Sequence, residues 1–173
     1  MSDFEKIYRE HFNDVFLYAL RLSGDKSIAE DITADTFLKA MRSLDTFRGD
    51  CEPRIWLCQI AKNTYFSHLK KQRRIPLYTS QIPETADPAE TPEERAVCFS
   101  EAERIRRHLH TLAEPYKEVF MWRVFAELSF SQIGGIFGKT ENWACVTYHR
   151  AKKMISEEMN KETVKKEEQN DDR

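Results

Sequence analysis

Hydrophobic side chains recur at intervals of three and four along most of this chain, and that spacing predicts helices almost throughout. Between Asp3 and Leu22, Phe4, Tyr8, Phe12, Val15, Phe16, Ala19 and Leu22 fall on one face, with Glu5, Lys6, Arg9 and Asn13 between them. Ser23 and Gly24 end this first amphipathic helix. A second helix is predicted from Lys26 to Leu44, with Ala29, Ile32, Thr36, Phe37, Ala40, Met41 and Leu44 turned inward. Ser27 and Glu30 have the spacing of a capping box at its start, and Glu30, Asp31 and Asp35 give it an acidic face. The stretch Thr46 to Asp50 reads as a loop, and Pro53 suits the first turn of a third helix, where a missing N–H costs little.

The third helix, Ile55 to Arg74, has two unlike faces. Leu57, Ile60, Ala61 and Thr64 form a packing side, whereas Lys62, Phe66, Lys70 and Arg73 form a stripe on the other. No acidic residue lies between Lys62 and Arg74, and Tyr65 and Phe66 sit among the cations. Rings among cations suit stacking on unpaired bases beside a phosphate backbone; a solvated basic face on a core helix produces the same pattern. Beyond Arg74 the texture changes to IPLYTSQIPETADPAETPEER, which is proline-rich, acidic and without an apolar stripe. This predicts an extended acidic linker.

Helical periodicity resumes near Ala96 and runs to Ala113 on Val97, Ile105, Leu109 and Leu112. Pro115 opens a further helix carrying Val119, Phe120, Trp122, Val124 and Phe125. Ser129 and Gln132 then form an S-x-x-Q box, Ile133, Ile136 and Phe137 are apolar, Gly138 ends the short helix, and Thr140 caps a longer one. A short helix, a glycine turn and a longer helix follow helix-turn-helix grammar, with Gly134 where the two helices come closest. In the longer helix Ala144, Tyr148, Ala151 and Ile155 share one face, leaving Asn142, Val146, His149, Arg150 and Lys153 around the other. Those outward types suit a major groove: Asn toward adenine, Arg toward guanine, Val against a thymine methyl. An αα-hairpin whose last helix carries solvated cations is the plainer reading of the same residues. The stretch beyond Met159 is charged and poor in apolar residues, so a frayed or disordered tail is expected.

Composition narrows this picture. The 173 residues are 40% hydrophobic, enough for one fair core or two small ones, and the linker favours two. The fold expected is therefore all-α, with two small helical domains joined by the linker: residues 1–75, a linker at 76–94, residues 95–160, and a tail at 161–173. A net charge of -2 argues against a general polyanion binder, so any nucleic-acid surface has to be local. Cys51, Cys58, Cys98 and Cys145 form no C-x-x-C pair, and reduced thiols are expected. His108 and His110 diverge on a helix, and no phosphate-cradling glycine loop or nucleophile motif is present, so no metal, cofactor or catalytic residue is expected. The start lacks the basic and apolar regions of an export signal, and no apolar run reaches membrane-spanning length, which predicts a cytoplasmic protein.

The runs AEDITADTF at Ala29–Phe37, WLCQIAKN at Trp56–Asn63 and LSFSQIGGIFGKTENWACVTYHRAKK at Leu128–Lys153 resemble extracytoplasmic-function sigma factors of the sigma-70 family, in order and over nearly the whole chain. The resemblance implies a first domain, region 2, that binds the clamp helices of bacterial core RNA polymerase and melts the minus-ten promoter element. A second, region 4, would read the minus-thirty-five element and touch the beta flap. It further implies an anti-sigma factor, usually membrane-anchored in that family, that occludes these surfaces until a signal removes it. By position, Asp31, Asp35, Thr36 and Lys39 match the polymerase-docking surface. Phe47, Arg48, Asp50, Lys62, Asn63, Tyr65, Phe66, Lys70 and Arg73 match the minus-ten reader. Glu141, Asn142, Trp143, Cys145, Val146, His149, Arg150 and Lys153 match the recognition helix. Two positions depart from the family pattern: Ser67 stands where many members carry Asp, and Cys145 where many carry a basic residue. Two other readings compete. A helix-turn-helix regulator acting without polymerase leaves the aromatic-basic helix unexplained. An all-α magnesium-dependent nucleotide pyrophosphohydrolase would use Asp31 and Asp35 but lacks a second acidic pair.

Overall fold

A computed structural model describes residues 3–72 and 92–171. The described residues form seven α-helices and one short 3-10 turn, and the chain divides into two compact units, Met1–Glu84 and Thr85–Arg173. The all-α expectation with two helical clusters holds. The stretch expected as linker lies mostly outside the described residues.

Unit one is a three-helix bundle of α1 (Asp3–Ser23), α2 (Lys26–Ser43) and α3 (Pro53–Gln72), each packed on the other two, with the 3-10 turn Leu44–Thr46 after α2. Its core is built from Val15, Tyr18, Ala19 and Leu22 of α1, Ala29, Ile32, Phe37 and Ala40 of α2, and Leu57, Cys58, Ala61 and Tyr65 of α3. Each fully buried aliphatic side chain among them contributes roughly 1.5–3 kcal/mol relative to exposure. The cap of α2 differs from the sequence expectation. Asp25, not Ser27, stands before the first turn with an extended backbone, and its carboxylate accepts from the Ile28 N–H at 2.9 Å. A carboxylate at that place also faces the positive end of the helix dipole, so it takes the cap in preference to the serine two residues on. Lys39 reaches across to α3, where its Nζ donates to Thr64 Oγ1 at 2.8 Å.

Unit two contains α4 (Pro92–Thr111), α5 (Tyr116–Val124), α6 (Phe130–Phe137) and α7 (Glu141–Asp171). Leu109, Val119, Met121, Trp122, Leu128, Ile133, Ala144, Ala151 and Ile155 form its core. Helix α4 begins earlier than the apolar periodicity suggested, at Pro92, a residue well suited to a first helical turn. Ser129 and Gln132 make the full reciprocal capping box of α6: the Gln132 N–H donates to Ser129 Oγ at 3.1 Å and the Ser129 N–H to Gln132 Oε1 at 2.9 Å. Gly138 closes α6 in the left-handed region at φ 61°, and Thr140 Oγ1 accepts from the Trp143 N–H at 3.1 Å at the start of α7.

Helix α7 continues 31 residues, through the segment expected as a frayed tail. The physical reason is long-range and charged. Glu162 is met by Arg104 Nε at 3.2 Å, Arg107 Nη1 at 3.1 Å and His108 Nε2 at 3.1 Å, all from α4. Arg104 also donates to the Met159 carbonyl and to Thr163 Oγ1, each at 3.0 Å. One carboxylate thus gathers three basic groups, and α4 holds α7 at Met159, Glu162 and Thr163.

Gly134 is the tightest point of the helix-turn-helix. A Cβ there would meet Lys139 O at 2.8 Å and Thr140 C and O at 2.9 Å, all backbone atoms of the turn that starts α7. Gly135, next along α6, has nothing within 4 Å of the same position. Gly134→Ala is therefore expected to destabilise unit two by about 1–3 kcal/mol through overpacking, whereas Gly135→Ala should stabilise it by about 0.5–1 kcal/mol. Urea unfolding of both variants, followed by tryptophan fluorescence, checks this; a neutral Gly134→Ala would mean that α6 and α7 do not approach as described.

Candidate nucleic-acid interface

Helix α3 supplies core and surface at once. Leu57, Cys58, Ala61, Thr64 and Tyr65 are buried, while Asn63 and Lys70 are exposed and Lys62 and Phe66 are half-buried at the edge of the basic face. The Cys58 thiol, enclosed in this core, is pushed up to about 12 by burial and has no nucleophilic character at neutral pH. Tyr65 corrects an expectation: only 4% of it is exposed, so its ring belongs to the core and is not presented to a base. A fifth residue after Ile60 comes round to the packing side, next to Ala61, which the stripe read from Lys62 and Phe66 did not register. Phe66, with its centroid 5.5 Å from that of Tyr65, is the ring that remains at the surface. Arg73 lies outside the described residues.

The loop before α3 is pinned by the Phe47 ring stacked on Trp56, centroids 4.5 Å apart and planes 27° from parallel. Phe47 is half-buried by that contact. Arg48 and Asp50 stay exposed on either side of Gly49, whose φ of 73° lets the chain turn there. Cys51 is also exposed, and its thiol is raised by partial burial and then by the carboxylate of Asp50.

The acidic helix α2 carries two different surfaces. Asp31 and Asp35 are exposed as expected for a docking face. Thr36 is not available to a partner: it is fully buried, with Oγ1 donating to the Ile32 carbonyl at 2.6 Å. Lys39 keeps solvent exposure, but its ammonium group is engaged by Thr64. Beside these residues the structure shows a surface that the helical stripe had assigned to the core. Phe4, Tyr8, Phe12 and Phe16 of α1 and Glu30, Thr33, Ala34, Phe37, Leu38 and Met41 of α2 line an open apolar groove of about 600 Å³. Tyr8 and Phe12 are each 41% exposed and Met41 51%. Around Phe37 the rings form one cluster, with Tyr8 at 4.8 Å and Phe12 at 6.0 Å between centroids. An exposed apolar patch of this kind marks an interaction site more often than a defect. In this bundle α2 and α3 leave part of the aromatic stripe of α1 uncovered.

In unit two, Glu141, Asn142, Val146, His149, Arg150 and Lys153 are exposed along the first turns of α7. Cys145 is half-buried at the edge of that face. Trp143 is turned to α6, packed on Phe137 at 5.3 Å between centroids, and so braces the turn. Phe130, Tyr148 and Phe120 form a ring stack beneath the helix, at 5.6 and 5.9 Å, with Arg123 lying 4.7 Å over Phe130. No group of His, Cys, Asp or Glu suited to a metal ion occurs among the described residues, and none of their helices is long and apolar enough to cross a membrane.

The family pattern described as Sigma-70 region 2 matches residues 7–75. The RNA polymerase sigma factor YlaC of Bacillus subtilis is 29% identical over 161 residues, covering 91% of this chain and 92% of that protein. The ECF RNA polymerase sigma-E factor of Haemophilus influenzae is 31% identical over 135 residues, covering 72% of this chain and 71% of that protein. In fold, the chain is similar to the sigma factor RpoE of Bartonella quintana, solved in complex with the anti-sigma factor NepR, with a TM-score of 0.64 and 18% identity over 92% of this chain and 98% of that one.

The two neighbouring rings of α3 separate fold from surface. Tyr65→Ala is expected to cost about 3–5 kcal/mol of unit-one stability, as for other buried rings, and Phe66→Ala about 1 kcal/mol or less. Denaturant unfolding of the two variants tests the assignment, and equal losses would contradict it.

Proposed function

This chain belongs to the extracytoplasmic-function sigma factors of the sigma-70 family, a family without enzymatic activity of its own, and from that membership we propose how its surfaces divide the work of transcription initiation. Membership sets aside both the hydrolase and the polymerase-independent regulator.

Unit one docks on the clamp helices of core RNA polymerase through Asp31, Asp35 and the apolar groove between α1 and α2. The observation that carries this reading is the position of the groove. Phe12, Leu38 and Met41 offer exposed apolar anchors, while Asp31 and Asp35 on α2 supply charge that selects a basic partner. Apolar burial provides affinity and the carboxylates provide orientation. The basic face of α3 remains separate from this surface and faces the minus-ten element. Asn63, Phe66 and Lys70, with Lys62 at the edge, have the chemistry to hold non-template bases and their phosphates once the duplex opens. Arg48 and Asp50 border that face from the pinned loop, and Arg73 extends it by sequence. Unit two reads the minus-thirty-five duplex with the exposed side of α7, while Trp143 braces the helix and the beta flap meets another part of the unit.

Since RpoE of Bartonella quintana forms a complex with an anti-sigma factor, an inhibitor of that kind is proposed for this chain also, one that covers the groove or the DNA-reading faces. The polymerase it serves places the protein in the cytoplasm.

Binding of labelled chain to purified bacterial core polymerase tests the docking surface. Met41→Glu puts a charge into the groove and Asp35→Lys reverses one of the orienting charges. Each is expected to weaken core binding at least about tenfold, as loss of an interface anchor does. Lys70→Glu should leave core binding unchanged and impair opening of a double-stranded promoter. Wild-type core affinity in Met41→Glu would remove the groove from the interface.

A further inference from the structure

The reading face of α7 contains one side chain that neither folding nor solubility accounts for. Between Glu141 and Ala151 the exposed residues are Glu141, Asn142, Val146, His149 and Arg150, and Val146 alone among them is apolar. It is 39% exposed and stands outside the unit-two core. The residues around it are committed elsewhere. Thr147 is buried and its Oγ1 donates to the Trp143 carbonyl at 2.7 Å, Trp143 packs on Phe137, and Tyr148 stacks beneath on Phe120. Valine is also a poor choice for an exposed helical position, because its branched Cβ loses rotamer freedom against the preceding turn.

Position gives this side chain a use. Asn142, Val146 and Arg150 are four residues apart, so they form one line along the helix with steps of about 6 Å. That step spans about two base pairs of duplex. An amide, a pair of methyls and a guanidinium are thereby offered in order to the floor of a major groove. On the major-groove edges of the four bases, the C5 methyl of thymine is the one apolar group. We propose that Val146 is a specificity-determining residue, selecting a thymine at one position of the duplex element through its methyl group, between the positions faced by Asn142 and Arg150. Cys145, half-buried at its side, adds no charge that would draw a phosphate or guanine into that position. This inference rests on the reading that α7 lies in the minus-thirty-five duplex.

The test uses holoenzyme assembled from the full chain and bacterial core polymerase. A random duplex library is selected for binding, and each thymine of the enriched upstream element is then replaced by deoxyuridine, which keeps base pairing and removes only the methyl. At one position wild-type holoenzyme is expected to bind about fourfold more weakly, the factor that burial of one methyl group gives. Val146→Ala holoenzyme is expected to bind thymine and uracil duplexes equally at that position, while Val164→Ala, exposed on the same helix far from the reading face, keeps the wild-type ratio. Far-UV circular dichroism establishes that both variants retain the helical fold. An enriched element without a uracil-sensitive thymine, or one whose sensitivity survives Val146→Ala, overturns the proposal and leaves the placement of α7 standing. A selection that enriches no upstream element overturns the placement of α7 and the proposal with it.

Discussion

The constraint from which the other features follow is that a helix in a small bundle has its core side and its outer side fixed together by the same 100° step. In α3, burying Leu57, Ala61, Thr64 and Tyr65 turns Asn63 and Lys70 to solvent. In α7, burying Ala144, Thr147, Ala151 and Ile155 turns Asn142, Val146 and Arg150 outward. Neither outer face can be rotated without taking its core with it. The two faces proposed to meet DNA are therefore held by the same packing that stabilises each unit.

Unit one adds a second consequence of size. The three helices leave part of the aromatic stripe of α1 uncovered, and that part meets Phe37, Leu38 and Met41 of α2 in an open groove. On the proposed docking, polymerase completes the burial that the bundle leaves open. The Lys39–Thr64 hydrogen bond ties α2 to α3, so the helix carrying the groove and the helix carrying the basic face belong to one rigid bundle. If polymerase docks on the first, as proposed, the bundle fixes where the second is presented.

Much of this was legible in the sequence, and the misses have physical causes. Helix positions, the Ser129–Gln132 box, the Gly138 ending and the close approach at Gly134 are local, and local chemistry announces them. Periodicity turned Thr36 inward, as found, and only family position set it on the docking surface; Tyr65 was read as a surface ring because residue type suggested contact, whereas burial depends on the neighbouring helices. Tyr8, Phe12 and Met41 were read as core for the opposite reason: periodicity reports which face is apolar but not how much of it the bundle covers. The order of α7 beyond Met159 was invisible because it comes from Glu162 meeting Arg104, Arg107 and His108 across more than fifty positions of chain. Composition there, rich in Lys and Glu, gives the appearance of a tail.

The division of labour between the units is tested most directly by transcription itself. The purified chain is added to bacterial core polymerase on fragmented genomic DNA of the same organism, and transcript 5′ ends are mapped with and without it. Start sites that appear only with the chain, each preceded by a shared pair of upstream elements, are the result the account predicts. Transcription that stays at the level of core polymerase alone would contradict it.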